Sequence, residues 1–317
     1  MKVAVVGAGV MGCAAAWALR ERGADVTVYE QFELDHTRGS SHGRTRIFRL
    51  AYPEASWVRL AQEAYDGWND LDPDILGLHG LVELAPDPAL TSARTLDECG
   101  IAHRFLDAGE ARALGAIVPD GWTALHVADA GVVYADRARQ AFLEGVDIRT
   151  GTRVESLDDV DADVVVVTAG AWVGRLVAGL DLRITRETVA YFRHEGGGPL
   201  PSVVDIAPDG GHDMYSLYDP VHGLKAGAHH AGAEADPDEP GAPDAAIVER
   251  IAAWVAARFP DVDPDPVEAD TCIYTSTPDR TFVLDRRGDV VVGSACSGHG
   301  FKFAPAVGRR LAALALA

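Results

Sequence analysis

Lysine is almost absent from this chain of 317 residues: of its 28 lysines and arginines, only Lys2, Lys225 and Lys302 are lysines. Acidic side chains outnumber basic ones, and the formal net charge is −20 at pH 7. A protein that binds nucleic acid needs a basic surface to neutralise phosphates, so nucleic acid is excluded as an expected partner. A lysine in the interior of such a chain is informative, because arginine provides almost every other positive charge.

Cysteines and long apolar runs are also scarce. The four cysteines are too few and too far apart for a disulfide framework, and none belongs to a CxxC pair. The one long uncharged run, from Val3 to Leu19, falls short of a membrane span and contains three glycines. We therefore expect a cytoplasmic protein that does not contact a membrane. We also predict no metal site.

The chain begins with the pattern of a dinucleotide-binding βαβ unit. A strand at 2–6 runs into GAGVMG at 7–12, and a helical stretch leads to a strand at 25–29 that ends on Glu30. In such units Gly7 permits a tight turn, Gly9 lets the pyrophosphate approach, and Gly12 lets helix and strand pack closely. The helix N-terminus attracts the pyrophosphate, and Glu30 is placed to accept ribose hydroxyls. The sequence predicts a bound adenine dinucleotide.

The rest of the chain predicts a second, sheet-based part. A valine-rich run at 163–167 is typical of a parallel strand, whereas 183–193 alternates like an antiparallel one. Residues 234–244 are rich in Pro, Gly and acid and predict a surface loop, and 244–258 predict a helix. We predict an α/β fold with an α+β substrate part. Residues 1–82, 140–180 and 268–317 would form a Rossmann-like dinucleotide domain, and residues 83–139 and 181–267 the substrate domain.

Three further segments combine glycines with cations. Residues 38–49 (RGSSHGRTRIFR) contain small residues, one histidine and four arginines. Such a bend lets the backbone approach a flat ring or a phosphate, while arginines bind anions. Lys225 lies between glycines in GLKAG at 223–227, and Lys302 lies between aromatic residues in SGHGFKF at 297–303. A basic surface loop is the alternative for 38–49, and the two downstream segments favour a site.

These motifs, together with TAGAW at 168–172 and CIYTSTPD at 272–279, occur in an order that resembles one family. The chain is similar to the monomeric sarcosine oxidase group, which includes N-methyltryptophan oxidase and pipecolate oxidase within the D-amino-acid oxidase superfamily of flavoproteins. The likeness spans both ends of the chain and is weaker in the middle. The chain also looks shorter than is usual for the group, with a trimmed substrate domain.

The resemblance implies FAD rather than NAD. It implies a thioether between the flavin and Cys272, while Cys296 lies outside the matching segment and is the less favoured donor. A packed core cysteine is the alternative for Cys272. The cofactor-binding residues, including the glycine motif, would be Gly7, Gly9, Gly12, Glu30, Ser40, Ser41, Thr45, Gly170, Cys272, Gly298, Gly300, Phe301 and Lys302.

The resemblance also implies roles for the cations. Arg49 and Lys302 match two residues that bind the substrate carboxylate, and each charge-assisted bond contributes about 1.5–3 kcal/mol against its desolvation. Lys225 matches the lysine that activates oxygen. The expected catalytic residues are Lys225, Arg46 and His42, the last two beside the flavin ring. Tyr215, Tyr274, His229 and His299 match or neighbour pocket positions, with ordinary packing as the alternative.

The implied function is an FAD-dependent amine oxidase. It would oxidise the C–N bond of a small secondary amino acid, N-methyl or cyclic, to an imine and reduce O2 to H2O2, as a monomer. Arg44 departs from the family, where a small acidic residue is usual, and adds a cation near the expected flavin entrance. Arg44 and the trimmed domain favour one alternative, a specialised biosynthetic oxidase or desaturase. A dehydrogenase with a quinone or protein acceptor and a non-catalytic flavin-holding protein are the others.

Overall fold

The computed structural model describes residues 1–196, 198–207, 211–294 and 296–317. The strands are β1 (Lys2–Val6), β2 (Asp25–Tyr29), β3 (Thr45–Phe48), β4 (Leu76–Gly77), β5 (Leu81–Ala85), β6 (Arg104–Leu106), β7 (Thr123–Val127), β8 (Gly131–Tyr134), β9 (Asp147–Arg149), β10 (Val164–Val167), β11 (Arg183–Arg193), β12 (Ser202–Asp205), β13 (Met214–Asp219), β14 (Gly223–Ala228), β15 (Ala233–Glu234), β16 (Glu268–Ser276), β17 (Val283–Arg287) and β18 (Val290–Ser294). The helices are α1 (Val10–Glu21), α2 (Ala55–Leu71), α3 (Ala93–Glu98), α4 (Ala108–Ala113), α5 (Ala135–Leu143), α6 (Val173–Leu176), α7 (Ala245–Arg258) and α8 (Ala304–Leu316).

A six-stranded sheet with the order β17-β18-β10-β1-β2-β9 carries the N-terminal motif. Its strands are parallel except β17, which runs antiparallel to β18. The central strand β1 is apolar on both faces, as a sheet covered on two sides requires. Val3 and Val5 pack with α1 and α8 on one face, and Ala4 and Val6 pack toward α6 on the other.

Helix α8 brings the C-terminal motif beside the glycine turn. It packs closely on α1, where a Cβ on Gly308 would overlap the carbonyl oxygen of Ala14. A single 3-10 turn at Phe301–Phe303 precedes α8, so Lys302 lies just before the helix. The first and last helices of the chain therefore set the position of Lys302 relative to the dinucleotide motif.

A nine-stranded sheet forms the second half of the molecule. Its order is β15-β11-β14-β13-β12-β5-β7-β6, with β16 paired to β11 on the other side. Helix α7 covers one face, where Ile251 and Trp254 pack with Phe192 and Leu224. Asp244 caps α7 by accepting the N–H groups of its first turn at 2.9 and 3.2 Å. The opposite face is left for the site described below.

A three-stranded sheet, β3-β8-β4, joins the two halves. Thr45 at the start of β3 is fully buried, and its hydroxyl donates to the carbonyl oxygen of Tyr218 in β13 at 2.8 Å. The arginine-rich segment 38–49 is thereby fixed against the larger sheet.

The α/β fold with a Rossmann-like sheet and a second sheet is confirmed. The uncharged run from Val3 to Leu19 is divided between β1 and α1 as predicted. Among the described residues, every helix is too short or too polar to cross a bilayer. One detail differs from the predicted domain boundaries: Glu268–Ser276, assigned to the dinucleotide domain, pairs with β11 of the larger sheet.

Candidate active site

A cavity of about 360 Å³ is lined by residues of both larger sheets. The sequence-predicted residues on its wall are Gly7, Gly9, Glu30, Ser40, Ser41, His42, Thr45, Arg46, Arg49, Gly170, Tyr215, Lys225, His229, Cys272, Tyr274, Gly298, His299, Gly300, Phe301 and Lys302. They come from segments that are far apart in the sequence, and the fold brings them to one space. Their individual roles remain predictions.

Two glycines of the turn after β1, Gly7 and Gly12, leave no room for a side chain. Gly7 has φ +100, and a Cβ there would lie 2.6 Å from the carbonyl oxygen of Thr168. Gly12 is not on the cavity wall but behind it, where a Cβ would overlap the carbonyl oxygen of Gly7. The turn is therefore held against the TAGAW segment by contacts that only glycine permits.

The N-terminus of α1 and Glu30 face the same end of the cavity. Gly9 is the N-cap residue and provides no side chain, while the N–H of Val10 donates to the Ser41 hydroxyl at 2.9 Å. Glu30 is 5% exposed, and its carboxylate accepts the N–H of Ala8 at 2.8 Å. An open helix N-terminus with a fixed carboxylate nearby suits a pyrophosphate and a ribose.

Arg49 and Lys302 converge on one aromatic ring. The Arg49 guanidinium carbon lies 4.4 Å from the centroid of the Tyr52 ring, and the Lys302 ammonium lies 5.9 Å from it. Lys302 is 3% exposed and donates to the carbonyl oxygen of His299 at 2.9 Å. Burial, reinforced by the charge of Arg49, holds the pKa of Lys302 well below its ordinary value. In the described part of the chain neither cation has a carboxylate within ion-pair distance, so an anion placed between them would stabilise both.

Aromatic side chains surround this cation pair. His299 packs edge-on against Trp57, with ring centroids 4.7 Å apart. Burial, together with the charge of Lys302, lowers the pKa of His299 to about 3, so this imidazole is neutral at pH 7. On another part of the wall, His229 Nδ1 lies 3.2 Å from the Tyr274 hydroxyl oxygen, and burial holds the pKa of His229 well below its usual value. The part of the cavity around Arg49 and Lys302 is therefore aromatic, and these two side chains are its positive charges.

The segment before Lys302 approaches this aromatic wall closely. Gly298 has φ +75, and a Cβ there would lie 2.6 Å from a ring carbon of His229. The preceding Ser297 also has positive φ, at 39, although it carries a side chain. Its N–H donates to the carbonyl oxygen of Thr275 at 3.0 Å, which ties the turn to β16.

Lys225 lies on the cavity face of β14. Strand alternation turns Leu224 and Ala226 toward α7 and leaves Lys225 opposite, 7% exposed and with its ammonium 5.5 Å from the Tyr191 ring centroid. Burial, with the charge of Arg46, lowers the pKa of Lys225 to about 7, although nearby acidic groups act in the opposite direction. Lys225 is thus a cation that titrates in the physiological range.

Cys272 lies on the cavity face of β16, within reach of two positive charges. Burial raises the pKa of its thiol to about 11, and the charges of Arg46 and Lys225 counteract part of this rise. Cys296 is half-buried nearby, and its sulfur lies 3.5 Å from the backbone nitrogen of Thr275. Both thiols line the cavity, and Cys272 has the stronger positive surroundings.

Arg46 and His42 are held rigidly by the bend at 38–49. Arg46 lies with its guanidinium carbon 5.5 Å from the Phe301 ring centroid, and it donates to the carbonyl oxygens of Ser40, His42 and Thr45. His42 is 8% exposed, and its Nε2 lies 3.2 Å from Asp270 Oδ2. The bend therefore uses its own carbonyl groups to orient the arginine.

Arg44, expected to add a cation near the flavin entrance, is paired with carboxylates and does not line the cavity. Arg44 is absent from the residues that line the cavity, and its Nε donates to the fully buried carboxylate of Asp219 at 2.7 Å. Its other contacts are Glu268 at 3.3 Å and the ring of Tyr191, 4.7 Å away. The positive charge is neutralised by two carboxylates that are distant in the sequence.

Sequence reasoning missed Tyr52 and Asp270. Tyr52 follows the arginine-rich segment and lies beneath both Arg49 and Lys302. Asp270 precedes Cys272 by two residues on β16, so strand alternation alone places both on the same face. That periodicity was the available signal for Asp270, whereas no local pattern indicated Tyr52.

The residues of the cavity fit FAD. The glycine turn and the open N-terminus of α1 suit a pyrophosphate, and Glu30 suits a ribose. The same cavity continues to a positive, aromatic region at Lys225, Arg46 and Phe301, where a flat, electron-accepting ring would contact a cation-rich wall. FAD, when bound, supplies the two-electron acceptor for oxidation of a substrate.

Comparisons with known proteins agree with this geometry. A profile of the FAD dependent oxidoreductase family matches residues 2–314. The chain is 33% identical over 358 aligned residues to a peroxisomal sarcosine oxidase of Mus musculus, covering 98% of this chain and 91% of the relative. It is 29% identical to a monomeric sarcosine oxidase of Bacillus sp., covering 99% and 92%.

A solved structure supports the same fold. NikD, an unusual amino acid oxidase essential for nikkomycin biosynthesis, superposes with a TM-score of 0.86 at 24% identity, covering 99% of this chain and 93% of that one. Sequence profile, relatives and fold together assign the chain to the FAD-dependent oxidoreductases, and within them it belongs to the sarcosine oxidase-like family.

Proposed function

We propose that the protein oxidises the C–N bond of a small secondary amino acid, N-methyl or cyclic, to an imine and passes the electrons to O2 to give H2O2. The observation that carries this proposal is the convergence of Arg49 and Lys302 on Tyr52. Two cations in an aromatic, buried setting suit a single carboxylate. The names of the sarcosine oxidase relatives support a small amino-acid substrate.

Different residues of the cavity would act on the substrate and on oxygen. Arg49 and Lys302 would bind the carboxylate through charge-assisted hydrogen bonds, which orients the amine. The neutral aromatic wall of Tyr215, Tyr274 and His299 would exclude water and favour an uncharged amine. Lys225 would offer a fixed positive charge where negative charge develops on oxygen.

A substrate panel tests the reaction. Purified enzyme would be assayed for peroxide with sarcosine, other N-methyl amino acids, pipecolate, proline and D-amino acids. Peroxide formation with the secondary amino acids supports the proposal. Turnover with an artificial dye but without peroxide would favour a dehydrogenase. No turnover of any substrate in the panel would favour a specialised biosynthetic oxidase. A flavin spectrum that no amine bleaches under nitrogen would favour a non-catalytic protein.

We propose covalent attachment of FAD through Cys272. Replacing Cys272 with serine is expected to release the yellow colour into the supernatant after acid precipitation, whereas wild-type protein should keep it in the pellet. The Arg46 and Lys225 charges near the thiol support this assignment. Cys296→Ser is the matched control, because this neighbouring cysteine also lines the cavity. Colour that leaves the pellet only in Cys296→Ser would assign the attachment to Cys296 instead.

Lys225 is the residue we expect to govern the reaction with oxygen. In Lys225→Met, reoxidation by O2 of photochemically reduced enzyme should slow by about 10²–10³-fold, the usual loss for one group that stabilises developing negative charge. Stopped-flow absorbance measures this step without any need to know the substrate. Lys2→Met is the control, since Lys2 pairs with Asp161 on the surface. Equal reoxidation rates in Lys225→Met and wild type would contradict the role.

Further features stay proposals with their own tests. We propose a monomer, which analytical ultracentrifugation would test, and a cytoplasmic location, which cell fractionation would test because the mouse relative is named peroxisomal.

We keep the division into an FAD domain of residues 1–82, 140–180 and 268–317 and a substrate domain of 83–139 and 181–267, except that β16 pairs with the larger sheet. Limited proteolysis would locate the boundary.

A further inference from the structure

Asp270 is a carboxylate next to the proposed oxygen-reacting part of the cavity, and the function proposed above gives it no task. Along β16 it precedes Cys272 by two residues, so both side chains lie on the same face. The strand register pairs Asp270 with Val189 of β11, and Val189 with Gly227 of β14. Lys225 precedes Gly227 by two residues and therefore shares that face.

The carboxylate of Asp270 contacts the imidazole of His42. Asp270 Oδ2 lies 3.2 Å from His42 Nε2, and the carboxylate is 36% exposed while the imidazole is 8% exposed. His42 Nδ1 is buried and has no hydrogen-bond partner in the part of the chain that the structure describes. Donation from Nε2–H to the carboxylate leaves only a lone pair unpaired at Nδ1, whereas the other tautomer would bury an unpaired N–H. The geometry therefore favours a proton on Nε2, donated to the Asp270 carboxylate.

The negative charge of Asp270 is retained in this setting. Partial burial alone would raise the pKa of Asp270, but hydrogen bonds from His42 and from the Thr271 N–H, together with the charge of Lys225, hold it below its usual value. The carboxylate is therefore ionised at neutral pH, and its field acts on a lysine that has little contact with water.

Other charged groups around Lys225 do not duplicate this effect. The titratable and charged groups that face it from β3, β11, β13 and β16 are Arg46, Tyr191, Asp219, Cys272, Asp270 and Glu268. Glu268 is bound by Arg44 at 3.3 Å. Asp219 is fully buried and bound by Arg44 at 2.7 Å, so its charge is already compensated. Among the described residues, the side chain that contacts the Asp270 carboxylate is that of His42. Asp270 is thus the carboxylate near Lys225 whose charge no arginine compensates.

We propose that Asp270 is a positioning residue for the reaction with oxygen, which fixes the tautomer of His42 and keeps Lys225 in its ammonium form. This inference rests on the proposed function of Lys225. Oxidation of an amine to an imine releases two electrons and two protons, and reduction of O2 to H2O2 takes up the same number. A lysine that stays protonated between turnovers holds its positive charge, and one proton, at the place where oxygen accepts electrons.

The first test compares Asp270→Asn with Glu268→Gln. Glu268 lies on the same strand and face, two residues away, but it contacts Arg44 and His222 instead. Reoxidation of photoreduced enzyme would be followed against pH in both variants. Without the carboxylate, the pH at which the rate falls should move down by about one unit in Asp270→Asn, giving up to about tenfold slower reoxidation at alkaline pH. Glu268→Gln should follow the wild-type profile.

The second test does not depend on activity. The chain has only three lysines, Lys2, Lys225 and Lys302, so selective [13C]lysine labelling gives few Cε signals. The signal that is missing in Lys225→Met is that of Lys225. The pH titration of that signal should move to lower pH in Asp270→Asn and stay unchanged in Glu268→Gln. In 15N-histidine spectra, His42 should lose its strong preference for Nε2–H in Asp270→Ala, which removes the acceptor as well as the charge.

The outcomes separate this inference from the proposed function. If the Lys225 titration in Asp270→Asn and the His42 tautomer in Asp270→Ala are the same as in wild type, the inference is overturned even when Lys225→Met slows reoxidation. An equal shift in Glu268→Gln also overturns it, because the effect would then be general electrostatics. If Lys225→Met leaves reoxidation unchanged, the function proposed for Lys225 fails, while a shifted titration would still establish the coupling between Asp270 and Lys225.

Discussion

Replacing Arg49 with methionine is expected to lower kcat/KM for the amino-acid substrate by about 10- to 150-fold. The change keeps an unbranched apolar stem but removes the guanidinium, and with it a charge-assisted hydrogen bond of about 1.5–3 kcal/mol to the carboxylate. Since Lys302 lies at the same Tyr52 ring, the variant retains one of the two cations. Steady-state peroxide assays measure the effect, and titration of the flavin absorbance with acetate measures carboxylate binding directly.

The control for Arg49→Met is Arg59→Met. Arg59 pairs with Glu98 on the protein surface at 2.9 Å, so its loss should change kcat/KM by less than about twofold. An amine that lacks a carboxylate provides a second comparison. If Arg49→Met slows that amine as much as it slows the amino acid, Arg49 acts on something other than the carboxylate.

Replacing Gly12 with alanine is expected to destabilise the protein strongly, whether or not the cofactor is bound. The added methyl would overlap the carbonyl oxygen of Gly7 and lie 2.6 Å from the Thr168 hydroxyl, and all three groups are fixed by β1, α1 and β10. Overpacking of this kind lowers the free energy of unfolding by about 1–3 kcal/mol or more. Urea unfolding of the apoprotein, followed by circular dichroism, measures the loss.

Gly9→Ala is the matched comparison for Gly12→Ala. At Gly9 a Cβ would lie 3.3 Å from the Ser41 hydroxyl, and φ is an ordinary −64, so the apoprotein should unfold at nearly the wild-type urea concentration. FAD affinity should nevertheless fall, because the backbone at Gly9 must be approached by the pyrophosphate. A Gly12→Ala apoprotein as stable as Gly9→Ala would show that the turn can relax around the added methyl.

Local chemistry explains why parts of the site could be predicted from the sequence. The glycines of the first turn, Glu30 and the rare lysines stand out because each has a physical requirement that few other residues satisfy. The strand at 183–193 was also predictable, because its alternation reflects one face packed on α7 and one face turned toward the cavity. The resemblance then connected these separate segments to one cavity.

Long-range pairing explains what the sequence could not predict. The partners of Arg44, Asp219 and Glu268, lie 175 and 224 residues away in the chain, and nothing near Arg44 indicates that its charge is neutralised. The strand that carries Cys272 spans Glu268–Ser276, because β11 supplies a pairing partner along that whole length. Tyr52 acquires its importance only when Arg49 and Lys302 meet above it.

The packing of α8 on α1 bears on the order in which folding and cofactor binding take place during synthesis. The glycine turn is made well before the helix that fixes Lys302, so the alanine-rich face of α1 that packs on α8 is uncovered in a nascent chain. Until α8 emerges, the cavity also lacks the wall formed by Phe301 and Lys302. We therefore expect FAD to bind only after α8 is made, so that the cofactor cannot guide the earliest steps of folding.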